Sequence, residues 1–139
     1  MQIKAIHHIA IICSNYERSK HFYVEVLGAD IICETWREQR RSHKLDLRLG
    51  DAQIELFSCP QPPPRPTRPE ACGLRHLALV VENLEPNIAH LKRHHISVEP
   101  IRLDELTGKR FTFFQDPDGL PLELYEICPA SKLNLMPHP

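Results

Sequence analysis

The 139-residue chain has no C-x-x-C pair, no long run of basic residues and no apolar stretch long enough to span a bilayer. Each absence removes a class of function. The five cysteines (Cys13, Cys33, Cys59, Cys72 and Cys128) are scattered and odd in number, which fits reduced thiols in a reducing compartment. Cys59 and Cys72 flank a proline-rich stretch and read as inert small residues rather than reactive thiols. Seventeen basic residues against eighteen acidic ones give a net charge of −1 with nine histidines neutral, so no duplex-binding stripe is expected and nucleic acid is an unlikely partner by charge. Met1-Gln2-Ile3-Lys4 enters a strand pattern directly, without a signal-type apolar region; the expectation is a cytoplasmic protein with no membrane partner. The length allows one compact domain with a real core, or two half-size modules sharing it.

What is present is repetition. His8 and Glu55 lie 47 residues apart, as do His76 and Glu123, and the two pairs are offset by 68 residues. At that offset the segment 6–12 matches 74–80 without a gap, and 53–57 matches 121–125. Repetition of this kind marks a structural unit used twice. Two imidazoles and two carboxylates form a good ligand set for one divalent ion, so a site where the copies meet is the first hypothesis.

The coarse pattern is βαβββ, twice. Residues 5–12 read as a strand, and Ser14 or Asn15 can cap a helix whose buried face is Phe22, Tyr23, Val26 and Leu27, with Gly28 at its stop. Residues 30–37 read as a strand, followed by a hairpin of 44–49 and 52–58 around Gly50-Asp51. Six of the ten residues from Pro60 to Pro69 are proline, which makes that stretch a stiff connector. In the second copy 74–81 is a strand, Pro86 suits the first turn of a helix with Ile88, Leu91 and His95 inward, 96–103 is a strand, and 110–115 with 120–127 form a hairpin around Asp116-Pro117-Asp118-Gly119. The tail from about Pro129 has no amphipathic pattern.

Side chains alternate along a strand. A two-residue turn at Gly50-Asp51 pairs Asp46 with Glu55 and Arg48 with Gln53, placing these with Phe57 on an open face, while Leu47, Leu49, Ile54 and Leu56 face the helix. In the second hairpin, pairing Phe114 with Glu123 puts Thr112 and Arg110 on the open face and Phe111 and Phe113 on the helix side. His8 shares a face with Ile6, Ala10 and Ile12; His76 shares one with Leu74, Ala78 and Val80. Four polar residues satisfied inside a core are the bland alternative, but two carboxylates buried without a cation or donors are costly. His7 is expected on the helix side, His21, His90, His94 and His95 on helices, and His43 in a charged loop.

At these residues the chain resembles the vicinal oxygen chelate superfamily, and more narrowly its glyoxalase I-like members. The matching segments are His7-His8-Ile9-Ala10-Ile11, Phe22-Tyr23 through Val26-Leu27-Gly28, Ile54-Glu55-Leu56, Leu74-Arg75-His76-Leu77-Ala78, and Asp116-Pro117-Asp118-Gly119 with Leu122-Glu123-Leu124. The stretch Ile54 to Ser58, with Pro62-Pro63 and Arg68 to His76, is similar to the small bacterial YaeR-like subgroup. The resemblance implies an α+β fold, two βαβββ modules forming a cupped mixed sheet, within one domain over 1–128: modules at about 4–59 and 72–127, a linker at 60–69 and a loose tail at 129–139. It implies His8, Glu55, His76 and Glu123 as ligands of one metal ion, and a homodimer in which the modules pair within one chain or across two. Glutathione-using members often carry an Arg four residues after the first ligand His and an Asn four after the first ligand Glu; here these are Ile12 and Cys59. The implied activity is therefore lactoylglutathione lyase-like without that part of the tripeptide site.

Four protein ligands leave one or two positions open on a five- or six-coordinate ion, Zn²⁺, Ni²⁺, Co²⁺, Mn²⁺ or Fe²⁺, with zinc and nickel foremost. Such an ion polarises a carbonyl and stabilises an enediolate while a carboxylate, Glu123 or Glu55, takes the proton. Arg110, Arg48 and Phe57 are the candidate contacts to a small anionic substrate. The alternative is a non-catalytic protein of the same fold that captures a small molecule or antibiotic.

Overall fold

The computed structural model describes residues 1–127, so Cys128 and the expected tail lie outside the described residues. The chain divides into two compact units, Met1–Arg65 and a second from Pro66 onward, with the boundary inside the proline-rich stretch. No helix among the described residues is long and apolar enough to cross a membrane.

The first unit is built from β1 (Ile9–Cys13), α1 (Tyr16–His21), β2 (Asp30–Arg37), β3 (Ser42–Leu49) and β4 (Ala52–Ser58). Its sheet has the order β1-β4-β3-β2, with β1 parallel to β4 and the other neighbours antiparallel. Asn15 caps α1, its side chain accepting from the Arg18 N–H at 3.0 Å. The helix continues into a π turn, Phe22–Val26, and Gly28 leaves it at φ +75°. Phe22, Tyr23 and Val26 are buried, as are Leu45, Leu47, Ile54 and Leu56 on the hairpin, so one face of the sheet is the core face. His43, expected in a loop, lies in β3 with its ring stacked on Tyr16 at 4.1 Å.

The second unit repeats the plan with β5 (Leu77–Val81), α2 (Leu84–Arg93), β6 (Arg102–Leu103), β7 (Arg110–Gln115) and β8 (Pro121–Glu126), in the order β5-β8-β7-β6. The repeat is visible in the register: Ile9 pairs with Ile54 and Leu77 with Leu122, Ala10 with Glu55 and Ala78 with Glu123. Leu84, Leu91, Phe114, Leu120, Leu122 and Leu124 are buried in this unit.

Two expectations need correction here. The strand expected over 96–103 is reduced to Arg102–Leu103; Pro100 has no N–H to continue the ladder, and the Glu99 N–H instead bonds to the Phe113 carbonyl at 2.8 Å. His95 is not part of the inner face of α2: it lies past the helix end, exposed, at φ +60°.

Candidate metal centre

The parallel pairing of β1 with β4 sets Ala10 beside Glu55. His8 lies just before β1 rather than within the expected strand over 5–12, yet its side chain reaches Glu55. His8 Nε2 stands 3.5 Å from Glu55 Oε2. The other ring nitrogen, Nδ1, is 2.8 Å from His7 Nδ1, one donating and the other accepting according to tautomer. His7 thus turns to His8 rather than to the helix side.

The second unit builds the same pair. Ala78 lies beside Glu123, and His76 Nε2 stands 3.0 Å from Glu123 Oε2. Glu123 is among the few buried charged residues, and the His76 ring meets Phe113 edge to face at 5.1 Å. His76 Nδ1 is buried with no hydrogen-bond partner among the described residues.

Zinc-type ions hold imidazole nitrogen and carboxylate oxygen at about 2.0–2.2 Å, so two such ligands on one ion stand about 3.0 Å apart at a right angle and about 3.4 Å at a tetrahedral angle. The separations of 3.5 and 3.0 Å fit neighbouring ligands in each half. As direct contacts both lie within ion-pairing distance of an imidazole and a carboxylate. Among the described residues no three His, Cys, Asp or Glu side chains gather at one point; the donors come as two pairs.

The surroundings of the two pairs differ. In the first hairpin Asp46 lies opposite Glu55 and Arg48 opposite Gln53, as the two-residue turn requires. Lys44, not foreseen from the sequence, bonds through Nζ to Asp46 Oδ1 at 2.6 Å and lies 3.1 Å from Glu55 Oε1. Those contacts, Asp46 first and Glu55 after it, hold the ammonium above the ordinary lysine value. The signal was present: Lys44 has the parity of Asp46 on one strand. Phe57 is half-buried on this face, with the Arg37 guanidinium 4.7 Å and the Lys44 ammonium 5.8 Å from its ring centre. Arg48 is exposed on the same face.

Arg110 is a correction. Phe113, not Phe114, pairs with Glu123, because five residues separate Gln115 from its partner Pro121. One residue of slip turns every side chain of β7 over. Phe111 and Phe113 therefore share the Glu123 face, while Thr112 and Phe114 are buried on the other. Arg110 goes with the latter, bonding to Glu126 at 2.6 and 2.7 Å and to Glu85 of α2 at 2.6 and 3.2 Å. These partners raise the guanidinium's pKa and lower those of Glu126 and Glu85. Arg110 ties α2 to the sheet and does not face the metal donors.

Two four-stranded mixed sheets of βαβββ plan, each with a His–Glu pair, define an α+β protein built from one plan used twice. Residues 5–124 match the profile of the Glyoxalase/Bleomycin resistance protein/Dioxygenase superfamily, and the chain belongs to that family. It is 64% identical over 127 residues to the uncharacterized protein YwkD of Bacillus subtilis (strain 168), covering 91% of this chain and 99% of that one. It is 58% identical over 125 residues to the uncharacterized protein YaeR of Escherichia coli (strain K12), covering 89% and 97%. The crystal structure of the glyoxalase family protein from Enterococcus faecalis superposes with a TM-score of 0.84 at 53% identity, covering 91% of this chain and 100% of that one.

Proposed function

We propose that the protein is a divalent-metal-dependent lyase or isomerase of the glyoxalase I type, acting on a small oxygenated, anionic substrate. His8, Glu55, His76 and Glu123 are the residues that would hold one ion. The observation that carries this reading is the duplicated pair, imidazole Nε2 facing carboxylate Oε2 at 3.5 Å in one half and 3.0 Å in the other. Bound there, a zinc or nickel ion supplies a Lewis acid for a substrate carbonyl. The protein's own part is proton transfer: Glu123 or Glu55 accepts the proton from the carbon beside the carbonyl and returns it to the neighbouring carbon. Arg48, exposed on the Glu55 face, meets the substrate's negative group, and Phe57 packs against its carbon skeleton.

A cytoplasmic homodimer is the proposed working form. Cys13, Cys33, Cys59 and Cys72 stand outside any disulfide among the described residues, which supports the compartment. The dimer is supported by apolar residues flanking both ligand histidines: Ile6 is 82% exposed, Ile12 59%, Leu74 51% and Val80 65%.

Metal content of protein purified without a chelating tag, followed by assay of α-hydroxy-carbonyl and thiohemiacetal substrates with each divalent ion, tests the activity. One ion per ligand quartet and turnover with that ion are expected. A protein that binds no divalent ion sinks the proposal, and a ligand bound tightly but returned unchanged favours a capture protein of the same fold.

A further inference from the structure

We propose that Lys44 is a positioning residue that pins Glu55 in its ligand geometry, an inference that rests on the metal reading above. Lys44 and Asp46 lie on β3, and Asp46 is paired with Glu55 across the β3–β4 ladder. The Lys44 ammonium is anchored by Asp46 Oδ1 at 2.6 Å and reaches Glu55 Oε1 at 3.1 Å. Glu55 Oε2, the other oxygen, is the one facing His8 Nε2 at 3.5 Å. The ammonium thus takes one carboxylate oxygen and leaves its twin turned to the imidazole. A glutamate side chain has free rotors that let either oxygen, or both, approach an ion. Fixing Oε1 restricts Glu55 to donation through Oε2.

The rival account is that Lys44 competes with the ion for Glu55. Two features oppose it. The ammonium and the imidazole engage different oxygens of the carboxylate. Asp46 holds the ammonium at the shorter distance and balances its charge, so Glu55 keeps its own charge for the ion.

The second half has no counterpart. Phe113 stands opposite Glu123 where Asp46 stands opposite Glu55, and Phe111 stands opposite Tyr125 where Lys44 stands opposite Phe57. Among the described residues, Glu123 can therefore rotate away from His76 without breaking a lysine contact. Lys44 makes the duplicated carboxylates unequal, Glu55 a fixed ligand and Glu123 the one free to leave its place and carry a proton.

The experiment measures zinc and cobalt affinity of the full chain by chelator competition, with the visible spectrum of the cobalt form and far-ultraviolet circular dichroism as a fold check. Lys44→Met is expected to weaken binding by about ten- to a hundredfold, as loss of a partner behind a ligand does, and to alter the cobalt spectrum. Lys44→Arg restores most of both, and Asp46→Asn gives an intermediate loss. Should Lys44→Met fail to fold, Asp46→Asn and Lys44→Arg make the same comparison. A folded Lys44→Met, or Asp46→Asn in its stead, with affinity within twofold of wild type or tighter and an unchanged spectrum overturns the inference. His8→Ala separates the two levels. Lost affinity there beside wild-type affinity in Lys44→Met removes the role of Lys44 and leaves the metal reading standing. A wild-type protein that takes up neither ion removes both.

Discussion

Glu55 and Glu123 hold equivalent places in the two ladders, beside Ala10 and Ala78, and under the proposed function loss of either is expected to be felt at the same ion. Glu123→Gln and His76→Ala should each weaken zinc binding at least about a hundredfold, measured by chelator competition, since each removes a proposed direct ligand. Arg110→Ala should leave that affinity within twofold, because its guanidinium is spent on Glu126 and Glu85. Its effect belongs to stability. Arg110 holds the Glu126 carboxyl below its ordinary value. Stability from that pair is present above the ordinary glutamate value, near pH ~4.3, and is lost as pH falls through the lower folded value. Urea melts of wild type and Arg110→Ala should therefore differ at neutral pH and converge in acid. The two His–Glu pairs were legible in the sequence because duplication marks them twice. Lys44 was not singled out, because a lysine next to charged neighbours looks like any solvated residue until the strand register fixes its parity.

The turns decide how far the faces can be read. Gly50, at φ +58°, and Asp51 close a two-residue hairpin, and every pair of the first ladder follows from it. The second turn carries the expected Asp-Pro-Asp-Gly signal, yet its loop holds an odd number of residues. Asp116 Oδ1 accepts from the N–H groups of Asp118 and Leu120, both at 2.9 Å, and the Asp116 N–H bonds to the Leu120 carbonyl at 3.0 Å. Turn composition is written in the sequence; loop count is set by this bonding, and one residue inverted the faces of β7. Asp116→Ala leaves the buried Leu120 N–H without its carboxylate acceptor and should destabilise the protein by about 1–3 kcal/mol in urea titration. The short β6 escaped for a similar reason: apolar residues around Pro100 imitate a strand, while the missing N–H ends the ladder.

At the scale of the molecule, the chain divides into two units of one plan within the proline-rich stretch, and the 68-residue offset that announced them recurs in both parallel ladders. An ion bound only by the folded chain stabilises it by mass action, so free zinc at a hundred times its dissociation constant should add about 2.7 kcal/mol and raise the melting temperature, while a chelator removes the gain. If the proposed homodimer shares ligands across subunits, co-refolding equal amounts of His8→Ala and His76→Ala should recover about a quarter of the sites, since half of the dimers are mixed and each mixed dimer keeps one of its two sites, read as metal bound per chain. A donor quartet with true two-fold symmetry would treat a planar carbonyl alike from above and below. The proposed quartet would have an ammonium beside one carboxylate and a phenyl ring opposite the other. The two prochiral faces of a substrate then meet different chemistry, and the hydrogen delivered during turnover in deuterated water should occupy a single stereochemical position, which nuclear magnetic resonance of the product resolves.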